Sequence, residues 1–242
     1  MKFRFQRVRQ YLVLTALFAF AAVGHAWAGG KTYYNIDQMT GWKSCSACAG
    51  RGGDGPIAKY WMKQNVSSPS KDGRSAQFFL GGSTPYANAL WWKQLGANDS
   101  PSNFVYDLYY YIKTPSAAQA LEFDVNHARL GKRFIFGTEC DFKNLKVWKV
   151  YDPYNRKWRA TSIACRVPKA YTWHRVTLEF RRVDGKAKFV TVTINGQKHY
   201  FNRTYSPHSS SAREVNVAFQ MDGNKYQTDY SIWVDKITLK YW

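Results

Sequence analysis

Acidic residues are scarce in this chain: 16 Asp and Glu stand against 35 Lys and Arg, for a formal net charge of +19. Long hydrophobic runs are also lacking. The longest apolar segment, roughly residues 11–23, is too short to span a bilayer comfortably, and no later run exceeds it. The five histidines include no closely spaced metal-binding pair, and the chain has neither a G-x-S-x-G elbow nor a glycine-rich phosphate loop. Internal repeats, low-complexity tracts and sustained 3.6-residue periodicity are missing too. Together these absences argue against a stable membrane span, serine-hydrolase or nucleotide chemistry, and a helical or parallel α/β architecture.

What the sequence does contain begins with a positive stretch (Lys2, Arg4, Arg7, Arg9), an apolar segment and then Ala26-Trp27-Ala28 before Gly29. A secretory signal peptide over residues 1–28 is expected, with a retained anchor as the alternative. The remaining chain carries about +15, enough for long-range attraction to polyanions. Its basic residues are dispersed and form no compact nucleic-acid motif, so the expected partner is a polysaccharide or glycan, with acidic sugars among the candidates, and no nucleic acid. The protein is expected to be secreted, whether extracellular, periplasmic or envelope-associated.

Four cysteines in an oxidising compartment suggest disulfides. Cys45 and Cys48 sit beside a glycine-rich stretch and suit a small structural bridge better than redox or metal chemistry. Cys140 and Cys165 each end a predicted strand and are the preferred second pair among three connectivities. Residues 29–57 read as an irregular Cys/Gly-rich leader, and 58–242 as one domain.

Within that domain, short strands alternate with turn residues. The clearest runs are 76–80, 103–112, 120–126, 133–138, 146–151, 158–163, 174–181, 188–194, 214–221 and 230–241. Arg129-Leu130-Gly131, Asp184-Gly185, Asn195-Gly196 and Asp222-Gly223-Asn224 punctuate them. This predicts an all-β, antiparallel two-sheet β-sandwich. Leu121, Phe123 and Val125 alternate with Glu122, Asp124 and Asn126, and Val215, Val217, Phe219 and Met221 with Asn216, Ala218, Gln220 and Asp222. Each strand should therefore show one face to the core and one to solvent.

Trp173-His174-Arg175-Val176-Thr177 followed by Val192-Thr193-Ile194-Asn195-Gly196-Gln197 resembles a hairpin of laminin-G-like domains. The closing Ser231-Ile232-Trp233-Val234-Asp235-Lys236-Ile237-Thr238-Leu239 resembles the last strand of concanavalin A-like lectin and glucanase jelly rolls. The likeness covers roughly residues 61–242. Tyr60-Trp61-Met62, Ala89-Leu90-Trp91-Trp92-Lys93 and Gly137-Thr138-Glu139-Cys140 are similar to a narrower, mostly uncharacterised group of exported bacterial proteins. The resemblance implies a concanavalin A-like jelly roll; it leaves function open, because this fold carries lectins, hydrolases, lyases and adhesion modules.

Family 16 glucanases of this fold take a nucleophile and an acid/base from one E-x-D-x-E strand, and retaining hydrolysis needs such a pair. Here Glu122 and Asp124 match the first two positions, while the third is Asn126, which cannot exchange a proton. His127 would face the other way on a regular strand, and Glu139 replaces the missing acid only in one of two possible registers. If the protein is an enzyme, the expected catalytic residues are Glu122, Asp124 and Glu139. No R-x-E-x-R or Q-I-H motif supports a lyase. Non-catalytic carbohydrate binding asks less of these residues: a polar row of Glu122, Asp124, Asn126, Gln220 and Asp222, joined by Asp107, Tyr109 and Tyr111 if their strand shares the sheet. Trp92, Trp148, Tyr151 and Trp158 are candidate ring platforms, and Lys149 and Arg159 candidate selectors of acidic sugars. A protein-binding adhesion module is the third reading. No cofactor is expected; Asp222-Gly223-Asn224 and Asp235 are candidate calcium ligands of the kind this fold's loops sometimes supply.

Overall fold

The computed structural model describes residues 30–46 and 58–242. The expected signal peptide, Cys48 and the glycine-rich stretch after it lie outside the described residues. The strands, in order, are β1 (Lys31–Tyr33), β2 (Lys43–Ser46), β3 (Lys59–Val66), β4 (Ser75–Gly81), β5 (Asn88–Gln94), β6 (Asn103–Ile112), β7 (Ala118–Arg129) and β8 (Lys132–Asp141). They continue with β9 (Val147–Asp152), β10 (Lys157–Ala164), β11 (Thr172–Val183), β12 (Lys186–Ile194), β13 (Gln197–Tyr205), β14 (His208–Ser209), β15 (Glu214–Gly223) and β16 (Tyr230–Tyr241). The helix among the described residues is a single 3-10 turn, Ile36–Gln38.

Every pairing is antiparallel, and the strands form two sheets. One runs β13-β12-β11-β6-β16-β4-β3, with β1 added to β16; the other runs β10-β9-β8-β7-β15-β5-β2, with β14 added to β8. The fold is a concanavalin A-like β-sandwich jelly roll, as the alternating pattern and the resemblance imply.

The core lies between the sheets and is rich in aromatic residues. Phe78 meets Trp91 and Phe219 at centroid distances of 5.1 and 5.0 Å, and Phe136 meets Phe180 at 5.1 Å. Strict alternation on β6 buries Phe104, Tyr106, Leu108, Tyr110 and Ile112 and leaves the residues between them part-exposed.

Local turn chemistry sets the hairpins. Leu130-Gly131, Asp184-Gly185 and Asn195-Gly196 are two-residue connections with positive φ at both positions, the geometry that matches the twist of antiparallel strands. The first sets the register of β7 on β8, with Arg129 opposite Lys132 and Glu122 opposite Glu139.

Residues 31–46 are not an irregular leader. Strand β1 extends the first sheet, β2 pairs with β5 in the second, and the 3-10 turn lies between them. Both strands are too short to show a pattern, and their order comes from pairing with β16 and β5. Edge strand β13 escapes a hydrophobic-pattern reading because it is polar on much of both faces, whereas β3 alternates, with Tyr60, Met62, Gln64 and Val66 on its less exposed face. Residues 115–117 form a turn and do not become a helix.

Cys140 and Cys165 are bonded, with Cα atoms 5.4 Å apart, and Cys45 is disulfide-bonded. The Cys140–Cys165 bridge spans a separation of 25 residues, a loop whose closure is worth about 3 kcal/mol. Replacing both cysteines by Ala is expected to cost about that much. Urea unfolding should show a lower midpoint and a larger m-value, because the released loop lets the unfolded chain expand.

Candidate functional site

The outer face of the β10-β9-β8-β7-β15-β5-β2 sheet is curved into an open groove of about 780 Å³. Register builds its floor row by row. In one row Lys149, Glu139, Glu122, Gln220, Leu90 and Cys45 stand side by side across six strands. In the next row Asp124 is flanked by Gly137 on one side and Ala218 on the other, with Trp92 and Lys43 beyond Ala218. Tyr151 and Trp158 close the other end of that row, edge to face at 5.2 Å.

Two small side chains beside Asp124 leave a trough between aromatic walls. Gly137 is required here for space: a Cβ would come within 3.0 Å of the Tyr151 Cβ and 3.5 Å of both Asp124 Oδ1 and the Trp158 ring. Lys43, Arg133 and Arg156 add positive charge around the groove, and Arg133 pairs with Glu214 at 2.7 Å.

The polar face is recessed, contrary to the expectation of a solvent-facing row. Glu122 is 6% exposed, Glu139 7% and Asp124 9%. One cation serves the acids at this end of the groove: Lys149 Nζ lies 2.8 Å from both Glu139 and Asp141. Gln220 donates its amide to Glu122 at 2.5 Å and to Asp222 at 3.0 Å, and the Thr138 N–H donates to Asp124 at 3.1 Å.

Electrostatics follow from that burial. Desolvation, reinforced by the charges of Asp222, Asp124 and Glu139, holds the Glu122 carboxyl well above the usual carboxylate range. Burial pushes Asp124 up to about 7 against the Thr138 hydrogen bond, and Asp222 up to about 8 with help from Glu139. Burial also raises Glu139, but the Lys149 hydrogen bond opposes it. Desolvation would lower the Lys149 ammonium, and its bonds to Asp141 and Glu139 outweigh that and raise it.

Several expected site residues stand elsewhere. Asp107, Tyr109 and Tyr111 belong to the other sheet, because β6 pairs with β11 and β16 and not with β7. They face outward on the far side of the sandwich, where Asp107 accepts from Arg175 at 2.9 and 3.1 Å. Trp148 is in the core, 6.1 Å from Phe123, because β9 turns Lys149 and Tyr151 toward the groove instead. Arg159 pairs with Asp152 at 3.0 Å and does not line the groove. His127 points inward as expected, and its Nε2–H donates to the Asn98 carbonyl at 2.8 Å. Asn126 donates to Asn216 at 3.0 Å.

The candidate calcium ligands lie apart. Asp222 and Asp235 are on different sheets, while the Asn224 side chain is taken up by the Ser116 carbonyl and the Tyr226 N–H. Among the described residues no group of three or more His, Cys, Asp or Glu has metal-binding geometry.

Sequence reasoning missed Gly137, Lys43, Arg133, Arg156, Asn216 and Glu214 as groove residues. A glycine in a strand interior, which often marks a close approach, was the available signal for Gly137. For Asn216 the signal was its place on the same face of β15 as Gln220 and Asp222; the others required the strand order.

The fold and groove thus define a concanavalin A-like jelly roll with a recessed carboxyl row between aromatic walls. No family model and no curated protein matches the chain. Among solved structures, it is similar to an endo-β-1,4-glucuronan lyase from the fungus Trichoderma reesei, with a TM-score of 0.56 and 13% identity over 86% of this chain and 94% of that one. It is also similar to the cellulose-induced protein Cip1, with a TM-score of 0.50 and 11% identity over 83% of this chain and 91% of that one. At these identities the likeness shows the fold.

A carboxyl with a folded-state pKa above its unfolded value weakens the fold as it ionises, so stability falls as pH rises toward and through the folded pKa. For Asp222 the window runs from about 4 to about 8. His127, lowered to about 4 by burial, works oppositely and costs stability as pH falls below about 6.5. Asp222→Asn separates the two effects. Relative to wild type it is expected to become progressively more stable between pH 5 and pH 8, by at most about 4 kcal/mol over those three pH units, as read by urea unfolding at both pH values.

Proposed function

We propose that the protein binds a polysaccharide chain in the groove, with sugar rings lying in the trough over Asp124. The observation that carries this reading is the row Trp158–Tyr151–Gly137–Asp124–Ala218–Trp92. Its outer side chains are flat rings, its centre is a hydrogen-bonding carboxyl group, and the two positions between have almost no side chain. Sugars present apolar faces and hydroxyl edges, and a largely preformed groove of this composition meets both. The glucuronan lyase and the cellulose-induced protein support a carbohydrate ligand only through shared fold. Lys43 and Arg156, on the groove margin, favour a chain carrying carboxylates over a neutral one.

A second reading is favoured by one observation: Glu139 stands directly opposite Glu122. Side chains paired across two strands have Cβ atoms roughly 4.5–5.5 Å apart, which suits the roughly 5 Å carboxyl separation of retaining glycoside hydrolysis. In that reading Glu122, buried among other acids, keeps a proton for the leaving oxygen, and Glu139, held by Lys149, is the nucleophile. Both groups already have protein partners, which is why binding stands first.

One experiment separates the readings. The purified protein is incubated with neutral and acidic polysaccharides, and both retention of the protein and appearance of reducing ends are scored. Retention without new ends is expected, strongest on an acidic chain and weakened by salt. Trp92→Ala or Gly137→Val should reduce it about tenfold or more, a loss of roughly 1.4 kcal/mol, with the fold intact by circular dichroism. New ends that vanish in Glu122→Gln while retention persists would establish hydrolysis. Neither retention nor new ends on any chain would sink both readings.

A further inference from the structure

At the end of the sandwich where β7 turns into β8, two arginines from facing sheets meet at the mouth of the core. Arg129 ends β7 on the core-facing side, two residues beyond His127 and diagonal to Phe134 on β8. Arg182 lies near the end of β11, in step with the buried Leu178 and Phe180, and its guanidinium is 5.8 Å from the centre of the Phe134 ring. Both side chains thus gather around one phenylalanine. The loop before β6 closes over them. Arg182 Nη2 donates to the Ser100 and Pro101 carbonyls at 3.3 and 3.0 Å, and His127 Nε2–H to the Asn98 carbonyl.

Cations outnumber acids at this end. Lys132 stands opposite Arg129 across the hairpin, and none of the ion pairs among the described residues includes Arg129, Lys132 or Arg182. The Nε–H groups of Arg129 and Arg182 are buried and have no acceptor. The acid whose charge acts on Arg182 is Asp99, and it is engaged by a different arginine. Its Oδ2 pairs with Arg213 Nη2 at 2.5 Å, and its Oδ1 is buried without a donor. Four cations thus share one carboxylate. His127 adds no charge near neutral pH, since burial, reinforced by Arg182 and Arg129, lowers it to about 4. Arg129 and Arg182 are close enough to repel each other, which adds to burial in lowering the Arg182 guanidinium. Like charges held together and part-desolvated without a counter-charge carry a penalty that native folds ordinarily relieve by pairing.

We propose that Arg129 and Arg182 hold one tetrahedral oxyanion, a phosphate or sulfate group, between their guanidinium groups, with Lys132 on its solvent side. A guanidinium presents parallel N–H groups that match one edge of such an anion, and two guanidinium groups on facing sheets match two edges. A doubly charged anion offsets most of the positive excess, whereas a carboxylate carries a single charge and one planar edge. Both arginines are part-exposed, so the cluster is reached from solvent. The ion would tie β7 of one sheet to β11 of the other. Arg213, which holds Asp99 clear of the site, precedes Glu214, a groove residue, so the oxyanion site lies just round the rim from one end of the groove. Its anion is a free ion or an ester group carried on a glycan, and the same chemistry recognises both.

The site is independent of what the groove binds, and its test is too. The purified protein in chloride buffer is titrated by calorimetry at constant ionic strength with sodium sulfate and sodium phosphate, then with glucose 6-sulfate and glucose 6-phosphate, and thermal unfolding is followed in each. One inorganic anion per chain is expected, with a Tm rise of about 3–6 °C at about tenfold excess over the dissociation constant. Sulfate raises the melting point of proteins in general by exclusion from their surface, so the response is read as wild type minus variant. Arg129→Gln and Arg182→Gln should each weaken binding about tenfold or more and lose most of that difference. Without the anion Arg129→Gln should melt no lower than wild type, because the repulsion is gone. Asp99→Asn should bind the anion more tightly, and Trp92→Ala, in the groove, should leave the response intact. Binding of the sugar esters alongside the inorganic ions would assign the site to an ester group on a glycan, and binding of the inorganic ions alone would assign it to a free ion. No heat of binding, or an equal Tm rise in wild type and both arginine variants, would overturn the proposal. So would anion-free Arg129→Gln and Asp99→Asn that both melt well below wild type, since Asp99 would then already be the counter-charge.

Discussion

The register between β7 and β8 is the constraint on which the rest of the groove depends. It follows from a two-residue turn, Leu130-Gly131, that permits one pairing, Arg129 with Lys132. Counting back along the hairpin brings Glu139 beside Glu122 and Gly137 beside Asp124. A slip of one residue would turn Glu139 into the core and replace Gly137 by a side chain. The carboxyl row and the trough are therefore two consequences of one turn, and neither exists on a single strand.

Charge economy is the second theme. The chain has more than twice as many basic as acidic residues, yet most of its buried acids lie in two places with few cations beside them. Lys149 is shared by Glu139 and Asp141, and Glu122, Asp124 and Asp222 are left to hydrogen bonds from Gln220 and a main-chain amide. Buried carboxyl groups with so little compensation weaken a fold at neutral pH. Their retention in a groove fits a role in contacting a ligand. Elsewhere the surface ion pairs, such as Lys198 with Glu179, are exposed and contribute little.

The two faces of the sandwich are coupled through the N-terminal segment. Strand β1 joins β16 in one sheet, β2 joins β5 in the other, and the 3-10 turn between them packs at the bulge of β16. Trp42 fastens the path by donating to the Ile36 carbonyl and packing on Phe78. A sequence pattern of three or four residues per strand carries no periodic signal, which is why this segment reads as irregular until its partners are seen.

The sequence by itself determined the fold class, because period-two alternation and Asp-Gly or Asn-Gly turns leave few alternatives to an antiparallel sandwich. It also determined that Glu122 and Asp124 stand opposite Phe123 on their strand, and Gln220 and Asp222 opposite Phe219 on theirs, since side-chain direction along a strand is local. Only the tertiary structure decided which strands are neighbours. That choice excluded Asp107, Tyr109 and Tyr111 from the groove, placed Glu139 against Glu122, and brought Asp37 to the Ile237 amide across 200 residues. The physical reason is that a strand's own sequence fixes its two faces, whereas its neighbours are fixed by hydrogen bonds to segments far along the chain.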